Sequence, residues 1–339
     1  MSHTPYIQHS GEAEATQLLC DLLGDKFREY RRQWELASRC ELLTEIPLYL
    51  VLEYNYVCNL RCIHCIQGNQ DLRAEYTYDG QMDMDLYKRI IDEASEYGAP
   101  SMSPNNINEP LLARDIIERI EYASRKGFID ISMQTNAVSM TERISERLLD
   151  SGLTRLHVSL DAFTKETYSK VRLDSNFDKV MANIDRFLDI RARRNRKLPL
   201  LRVSLVRLSA NAHEIPAFVE YWRQRADYIA IQEFASPAPG RPEFAPLFEP
   251  LFSGTRTFVS DFRCPQPWQR MTVQGDGSVQ PCCSQFSREL TIGNVKETSL
   301  HSIWHSPAMN RMREMHQQGH YRDNPTCFKC VTGWVTKSN

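Results

Sequence analysis

Cys58-Asn59-Leu60-Arg61-Cys62-Ile63-His64-Cys65 places three thiols within eight residues. Thiolates are soft, charged and polarizable, which suits iron, and three on one short loop can hold three corners of a single iron-sulfur cube. The fourth iron then lacks a protein ligand and stays open to a small molecule. A closed structural zinc site instead takes four ligands at paired spacings, and no cysteine follows Cys65 until Cys264. His64 could complete a zinc set, so zinc is the competing reading of this loop.

Upstream of the loop, Leu19, Leu23, Phe27, Tyr30, Trp34 and Ala37 recur at three-to-four spacing, the pattern of one amphipathic helix over 15–43. Residues 1–47 read as an N-terminal helical extension that caps one end of the next unit, with substrate covering or partner binding as the other role. Cys20 and Cys40 read as small apolar fillers.

Downstream, strand and helix alternate. Strands are expected over 48–54, 99–103, 128–135, 154–160, 200–207 and 228–234, and helices over 83–97, 112–126, 141–151, 164–170, 176–194 and 213–225. Six strands separated by helices imply a parallel sheet with right-handed crossovers. Six repeats are too few to close an eight-fold barrel. The expected fold class is therefore α/β, a partial (β/α)6 TIM-like barrel over 48–235. Parallel barrels do their chemistry at the C-terminal strand ends. The cysteine loop leaves the first such end, and later ends carry Asn106-Ile107-Asn108-Glu109-Pro110, Gln134-Thr135-Asn136, Val158-Ser159-Leu160-Asp161, Arg207 and Gln232-Glu233. Alternate residues of a barrel strand face inward. A lining drawn from Gln134, Asn136, Ser204, Arg207, Gln232 and Glu233 suits a polar, hydroxylated substrate better than a lipid, and Asn136, Arg207, Gln232 and Glu233 are the catalytic candidates. Asp161 also reads as the N-cap of the short helix that follows.

Prolines 237, 239, 242, 246 and 250 with Gly240 mark 236–263 as a linker. A second cysteine group then follows as Cys264-x17-Cys282-x44-Cys327-x2-Cys330, with Cys283 spare. Between its first two members, Gly275-Asp276-Gly277 joins two short alternating runs, a hairpin signal that draws Cys264 and Cys282 together. Four thiols from one compact unit, 264–339, can close a second cube completely. A zinc ribbon is the alternative.

The chain's 339 residues carry a formal net charge of −2, so no broad field attracts nucleic acid or anionic lipid. The basic run Arg191 to Lys197 reads as a solvated helix end. No apolar run approaches the roughly 20 residues that cross a bilayer, and the polar start Met1 to Glu14 lacks a secretory signal's apolar core. A cytoplasmic protein without membrane or nucleic-acid partners is expected. In that compartment ten cysteines read as metal ligands or free thiols before disulfides.

Cys-x3-Cys-x2-Cys resembles the signature of the radical S-adenosylmethionine (radical SAM) superfamily, and the C-terminal cysteines resemble its Twitch segment, the shortened relative of SPASM domains. The resemblance covers about residues 48–334, and the C-terminal cysteine spacing resembles that of the aminocyclitol dehydrogenases. It implies two 4Fe-4S clusters and S-adenosylmethionine (SAM), with Cys58, Cys62 and Cys65 on the first cluster and Cys264, Cys282, Cys327 and Cys330 on the second. It gives His64, which replaces an aromatic residue packing near the adenine, a contact role. Asn108 and Glu109 stand where relatives have Gly-Gly-Glu-Pro, of which only Glu-Pro is kept. Ser159 stands where the family commonly has a serine near the SAM ribose or carboxylate, and Arg172 where an arginine follows in the next helix, so the resemblance implies that both contact SAM. The implied activity is hydrogen abstraction from a sugar, aminocyclitol or nucleotide-sugar, oxidising an alcohol to a carbonyl in natural-product or glycan biosynthesis. A flavodoxin- or ferredoxin-type protein would donate the electron. Epimerisation, peptide modification and a non-catalytic iron-sulfur or zinc protein are the alternatives.

Overall fold

The apolar runs of the strands are buried on both faces, as expected where helices cover one side of a parallel sheet and side chains fill the other. Leu50, Leu52, Met102, Ile131, Met133, Leu156, Val158, Leu201, Val203, Leu205 and Ile229 all join one core. The helices between strands begin at side chains that fit the task. Asp83, Thr141, Thr164 and Asn176 accept from the amides of Leu86, Ile144, Thr167 and Lys179, each such cap contributing about 1 kcal/mol.

The computed structural model describes residues 7–76, 80–239, 241–248 and 262–333. Its strands are β1 (Ile7–Ser10), β2 (Tyr49–Glu53), β3 (Arg61–Cys62), β4 (Ser101–Ser103), β5 (Asp130–Thr135), β6 (Arg155–Ser159), β7 (Arg172–Leu173), β8 (Leu200–Arg207), β9 (Tyr228–Glu233), β10 (Arg270–Gln274), β11 (Ser278–Gln280) and β12 (Gly293–Asn294). The expected strands appear as β2, β4, β5, β6, β8 and β9, lying side by side and parallel. Much of the expected linker (240 and 249–261), and residues 1–6 and 334–339, lie outside the described residues.

The sheet is wider than the six-strand barrel. β1 pairs antiparallel with β9, and β10 pairs parallel with β2, so the expected hairpin β10–β11, followed by β12, continues the same ten-stranded sheet. The N-terminal segment is not one helix but two, Glu12–Leu23 and Asp25–Ser38, broken at Gly24 with φ 70°. Glycine adopts that left-handed φ without a Cβ clash. Leu19, Phe27, Tyr30 and Ala37 bury themselves against Leu48, Leu200 and Tyr228. Those residues begin or precede β2, β8 and β9, so the helices cap the end of the sheet opposite the cysteine loop. The basic run is the solvated helix end expected from the sequence: residues 192–197 are exposed, with Arg194 and Arg196 pairing Asp150 at the surface, and Arg191, paired with Asp227, is half-buried.

Candidate functional site

The cysteine loop is built from its backbone outward. Cys62 lies in β3, hydrogen-bonded to β7 so that it faces Arg172. The amide of Cys65 donates to the carbonyl of Cys62 at 3.0 Å, and Gly68 donates to Cys65 at 2.9 Å. Arg61 holds the preceding turn by donating to the carbonyls of Cys58 and Leu60 at 2.9 and 2.8 Å. Gly68 passes so close that a Cβ there would meet the Cys62 carbonyl oxygen at 2.1 Å. Sulfur also receives backbone donors: Leu60 N reaches Cys58 Sγ and Gln67 N reaches Cys65 Sγ, each at 3.5 Å. Burial pushes all three thiols up, Cys62 to about 12 and Cys65 to about 11; Cys65 and Cys58 add to the rise at Cys62, and Cys58 to that at Cys65. Metal coordination is what turns such thiols into ligands at neutral pH.

Glu109 anchors the next strand end. Its carboxylate accepts from Thr135 Oγ1 at 2.6 Å, Asn136 N at 2.7 Å and Leu111 N at 3.1 Å. Burial outweighs those donors, and its pKa is raised. Asn136 in turn donates to Asn59 Oδ1 at 2.8 Å and comes within 4.0 Å of Cys58 Sγ. Gln134 donates to Ser159 Oγ at 2.9 Å. Asp161 is buried at φ 58°; it accepts from Arg172 Nε and Nη2 at 3.0 and 2.6 Å and from Val206 N at 2.8 Å, and lies 3.3 Å from His64 Nε2. Burial alone would raise its pKa, but the Arg172 guanidinium, His64 and the Val206 amide outweigh burial, and the net shift is down. Burial lowers the pKa of His64, so its ring is neutral at pH 7. Asp161 does not cap the short helix Lys165–Val171; Thr164 does.

These strand ends open onto a cavity whose wall includes Cys58, Cys62, Cys65, His64, Asn108, Glu109, Asn136, Ser159, Arg172 and Gln232. Arg207 and Glu233 are placed elsewhere. They face each other across β8 and β9 and pair through Nη2–Oε1 at 2.6 Å and Nε–Oε2 at 2.9 Å, off the cavity wall. Ser204 turns into the core and donates to Val158 O. Asn106 of the quoted strand-end stretch is also on the wall, and residues not singled out from the sequence join it: Asn105, and Gln285 from the C-terminal segment. Glu53, fully buried at the end of β2, accepts from Ile107 N at 2.6 Å and Asn108 N at 3.0 Å. It thereby shapes the turn where relatives would use glycine, and burial raises its pKa to about 7.

The C-terminal thiols converge as well. Cys282 follows β11 closely, and Cys327 and Cys330 lie one turn apart on the helix Pro325–Gly333. Cys264 is pushed up by burial and then by Cys330 and Cys327; Cys282 by burial and then by Cys264 and Cys330. Burial pushes Cys327 to about 12. Cys283 accepts from Arg270 Nη1 at 3.3 Å.

Two family models match this chain: the radical SAM superfamily over residues 52–197, and the SPASM iron-sulfur cluster-binding domain over 264–331. The chain is a radical SAM protein with a SPASM segment, which brings SAM, a 4Fe-4S cluster and further iron-sulfur clustering. Among curated relatives, a probable GTP 3′,8-cyclase of Methanococcus maripaludis is 29% identical over 182 residues, covering 54% of this chain and 57% of that protein. The AdoMet-dependent heme synthase of Methanosarcina barkeri is 29% identical over 144 residues, 42% of this chain and 40% of its own. The chain thus spans about half the length of the curated relatives it matches. Among solved structures, BtrN in complex with AdoMet and 2-DOIA aligns with TM-score 0.53 and 17% identity over 86% of this chain and 93% of its own. The enzyme anSMEcpe with bound AdoMet gives TM-score 0.61 and 16% identity over 85% and 89%. Streptococcus suis SuiB bound to precursor peptide SuiA gives 0.58 and 16% over 92% and 74%.

The residues at hand fit such cofactors. Three thiols share the cavity wall with two buried polar atoms that no group among the described residues satisfies, His64 Nδ1 and Asn108 Oδ1. A buried orphan of that kind costs free energy until a ligand pairs with it. No helix among the described residues is long and apolar enough to cross a membrane.

Proposed function

We propose that this chain oxidises an alcohol carbon of a polar sugar, aminocyclitol or nucleotide-sugar to a carbonyl. When bound, the first cluster and SAM supply a carbon-centred radical able to take hydrogen from an unactivated C–H bond. The chain's part is to hold substrate and exclude water. Cys58, Cys62 and Cys65 would carry the first cluster, with His64, Asn108, Glu109 and Ser159 around SAM. Arg172, locked on Asp161, would keep the β3–β7 ladder and so the cysteine loop in place. Gln232 and Asn136 would meet the substrate directly, while Arg207 and Glu233, paired beside Gln232, would set its orientation. For the balance, the oxidation removes one hydrogen atom from carbon, one proton from the hydroxyl, which a wall group or water would take, and one electron, which a cluster held by Cys264, Cys282, Cys327 and Cys330 would accept.

The observation that supports this reading is Gln285. It stands three residues after Cys282 yet shares a cavity wall with the first three cysteines, and donates to Ser236 O at 3.0 Å. A wall group only three residues from Cys282 supports an electron path from the cavity to the C-terminal thiols. An epimerase needs a hydrogen donor instead; the spare thiol, Cys283, is held by Arg270 and lies off the cavity wall. The likeness to the GTP cyclase and the heme synthase covers 54% and 42% of the chain and leaves the substrate open.

The test is anaerobic reconstitution with a one-electron donor and a panel of polyols, aminocyclitols and nucleotide-sugars in deuterated water. About eight irons per chain are expected, with 5′-deoxyadenosine formed in step with a product lighter by two hydrogens. A product of unchanged connectivity carrying one solvent deuteron would establish the epimerase. Four irons or fewer with no SAM cleavage would remove the enzyme altogether.

A further inference from the structure

At the opposite end of β2 from the cysteine loop, Glu45, His301 and His305 bring three ligand atoms within 4.8 Å of one another. None belongs to the cysteine sets. His301 and His305 are four residues apart, so they share one face of the short helix Leu300–Trp304 and its C-cap, with ring centroids 4.6 Å apart.

The surroundings hold this face in place. Glu93, on the helix Met84–Glu96, accepts from Leu300 N and His301 N at 3.0 and 2.9 Å. Tyr97 stacks on the His301 ring at 4.4 Å and 16°. Trp304 Nε1 donates to Thr44 O at 2.7 Å, fixing the segment that carries Glu45.

Both imidazoles present Nε2 to the same oxygen. His301 Nε2 lies 3.3 Å from Glu45 Oε2, and His305 Nε2 lies 4.0 Å from it. The second separation is too long for a hydrogen bond. Four ligands at zinc's usual bond length of about 2.1 Å stand about 3.4 Å apart at the corners of a tetrahedron. The two separations bracket that edge from its lower side to a little beyond it. The Glu45 side chain is 75% exposed, so its carboxylate can close the remaining gap by turning. His305 Nε2 also lies 3.1 Å from Glu45 O, the contact a bound cation would replace.

We propose that Glu45, His301 and His305 bind a divalent first-row cation of the zinc type, its fourth corner taken by water. Two imidazoles and one carboxylate favour such an ion over magnesium or calcium. The ion would tie the helix Leu300–Trp304 to the segment entering β2.

The test uses holoprotein with its iron in place, so that cysteines do not compete, dialysed against zinc at graded concentrations. Zinc and iron are counted together. About one zinc per chain is expected, with iron unchanged and a rise in the thermal midpoint on zinc addition. His301→Ala and His305→Ala should each weaken uptake at least tenfold, and Glu45→Gln less, with circular dichroism unchanged. No uptake by the wild-type protein overturns the proposal, as does equal uptake by the His301→Ala/His305→Ala double variant. Uptake that displaces iron also overturns it, because the zinc is then on thiols. Iron content and SAM cleavage are read separately, so failure here leaves the oxidation reading intact.

Discussion

Replacing Asp161 by Asn removes one negative charge and changes almost nothing else. The side chains are nearly isosteric, and Asn tolerates the left-handed φ of 58° found there. The Arg172 and Asp161 side chains are 6% and 1% exposed. Breaking one partner of such a buried pair leaves an uncompensated charge and costs about 3–5 kcal/mol. Asn keeps an oxygen for the Val206 amide, which now lies 2.8 Å from Oδ1, so the lower figure, about 3 kcal/mol, is expected. Adding Arg172→Met should recover a substantial part of that loss, because no stranded cation remains. Urea unfolding of cluster-free protein, followed by circular dichroism, measures both. The pH dependence has a definite sign. The Asp161 carboxylate is depressed in the fold, so its stabilisation is complete above the unfolded value of about 3.9 and is lost as pH falls through the lower folded value. The gap between wild type and Asp161→Asn should therefore stay constant from pH 8 to about 5 and narrow under more acidic conditions. A gap under about 1 kcal/mol at pH 7, or a double variant no better than Asp161→Asn alone, would refute the reasoning.

Glu53 gives the opposite sign. Its pKa is raised to about 7, so the fold loses stability as pH climbs from about 4.3 towards 7. Glu53→Gln should unfold at higher urea than wild type at pH 8, by about 3 kcal/mol, but not at pH 4; an equal offset at both would discount the carboxylate. Gly68→Ala would drive a Cβ into the Cys62 carbonyl and should roughly halve iron per chain, leaving the second site loaded; full iron content would show that the loop yields. Cys327→Ala should keep SAM cleavage while halting product, whereas Cys283→Ala should turn over normally; loss of turnover in Cys283→Ala with iron intact would favour epimerisation.

Much of the barrel was legible because its signals are local. Three cysteines on one loop, apolar runs of strand length and polar residues at their C-terminal ends all survive without tertiary knowledge. Placement across strands did not. Gln232 and Glu233 are adjacent, so period-two alternation lets only one face the cavity; the register that sets Glu233 opposite Arg207 belongs to the folded sheet. Gln285 reaches the cavity, and Glu53 reaches the turn at Ile107, only through contacts between distant segments. β1 is four residues at a sheet edge, paired with a strand more than two hundred residues away, and carries no pattern long enough to detect. Gly24 between Leu23 and Asp25 was readable as a helix break, and the regular spacing on either side masked it.

The ladder from Arg270 opposite Tyr49 to Gln274 opposite Glu53 runs the full length of β2. Cutting the chain at residue 263 would therefore not detach an appendage; it would strip a bonded neighbour from the strand that launches the thiol loop and leave a raw, adhesive border. Tail exchange between relatives would succeed only where the donor brings a strand cut to the same seam.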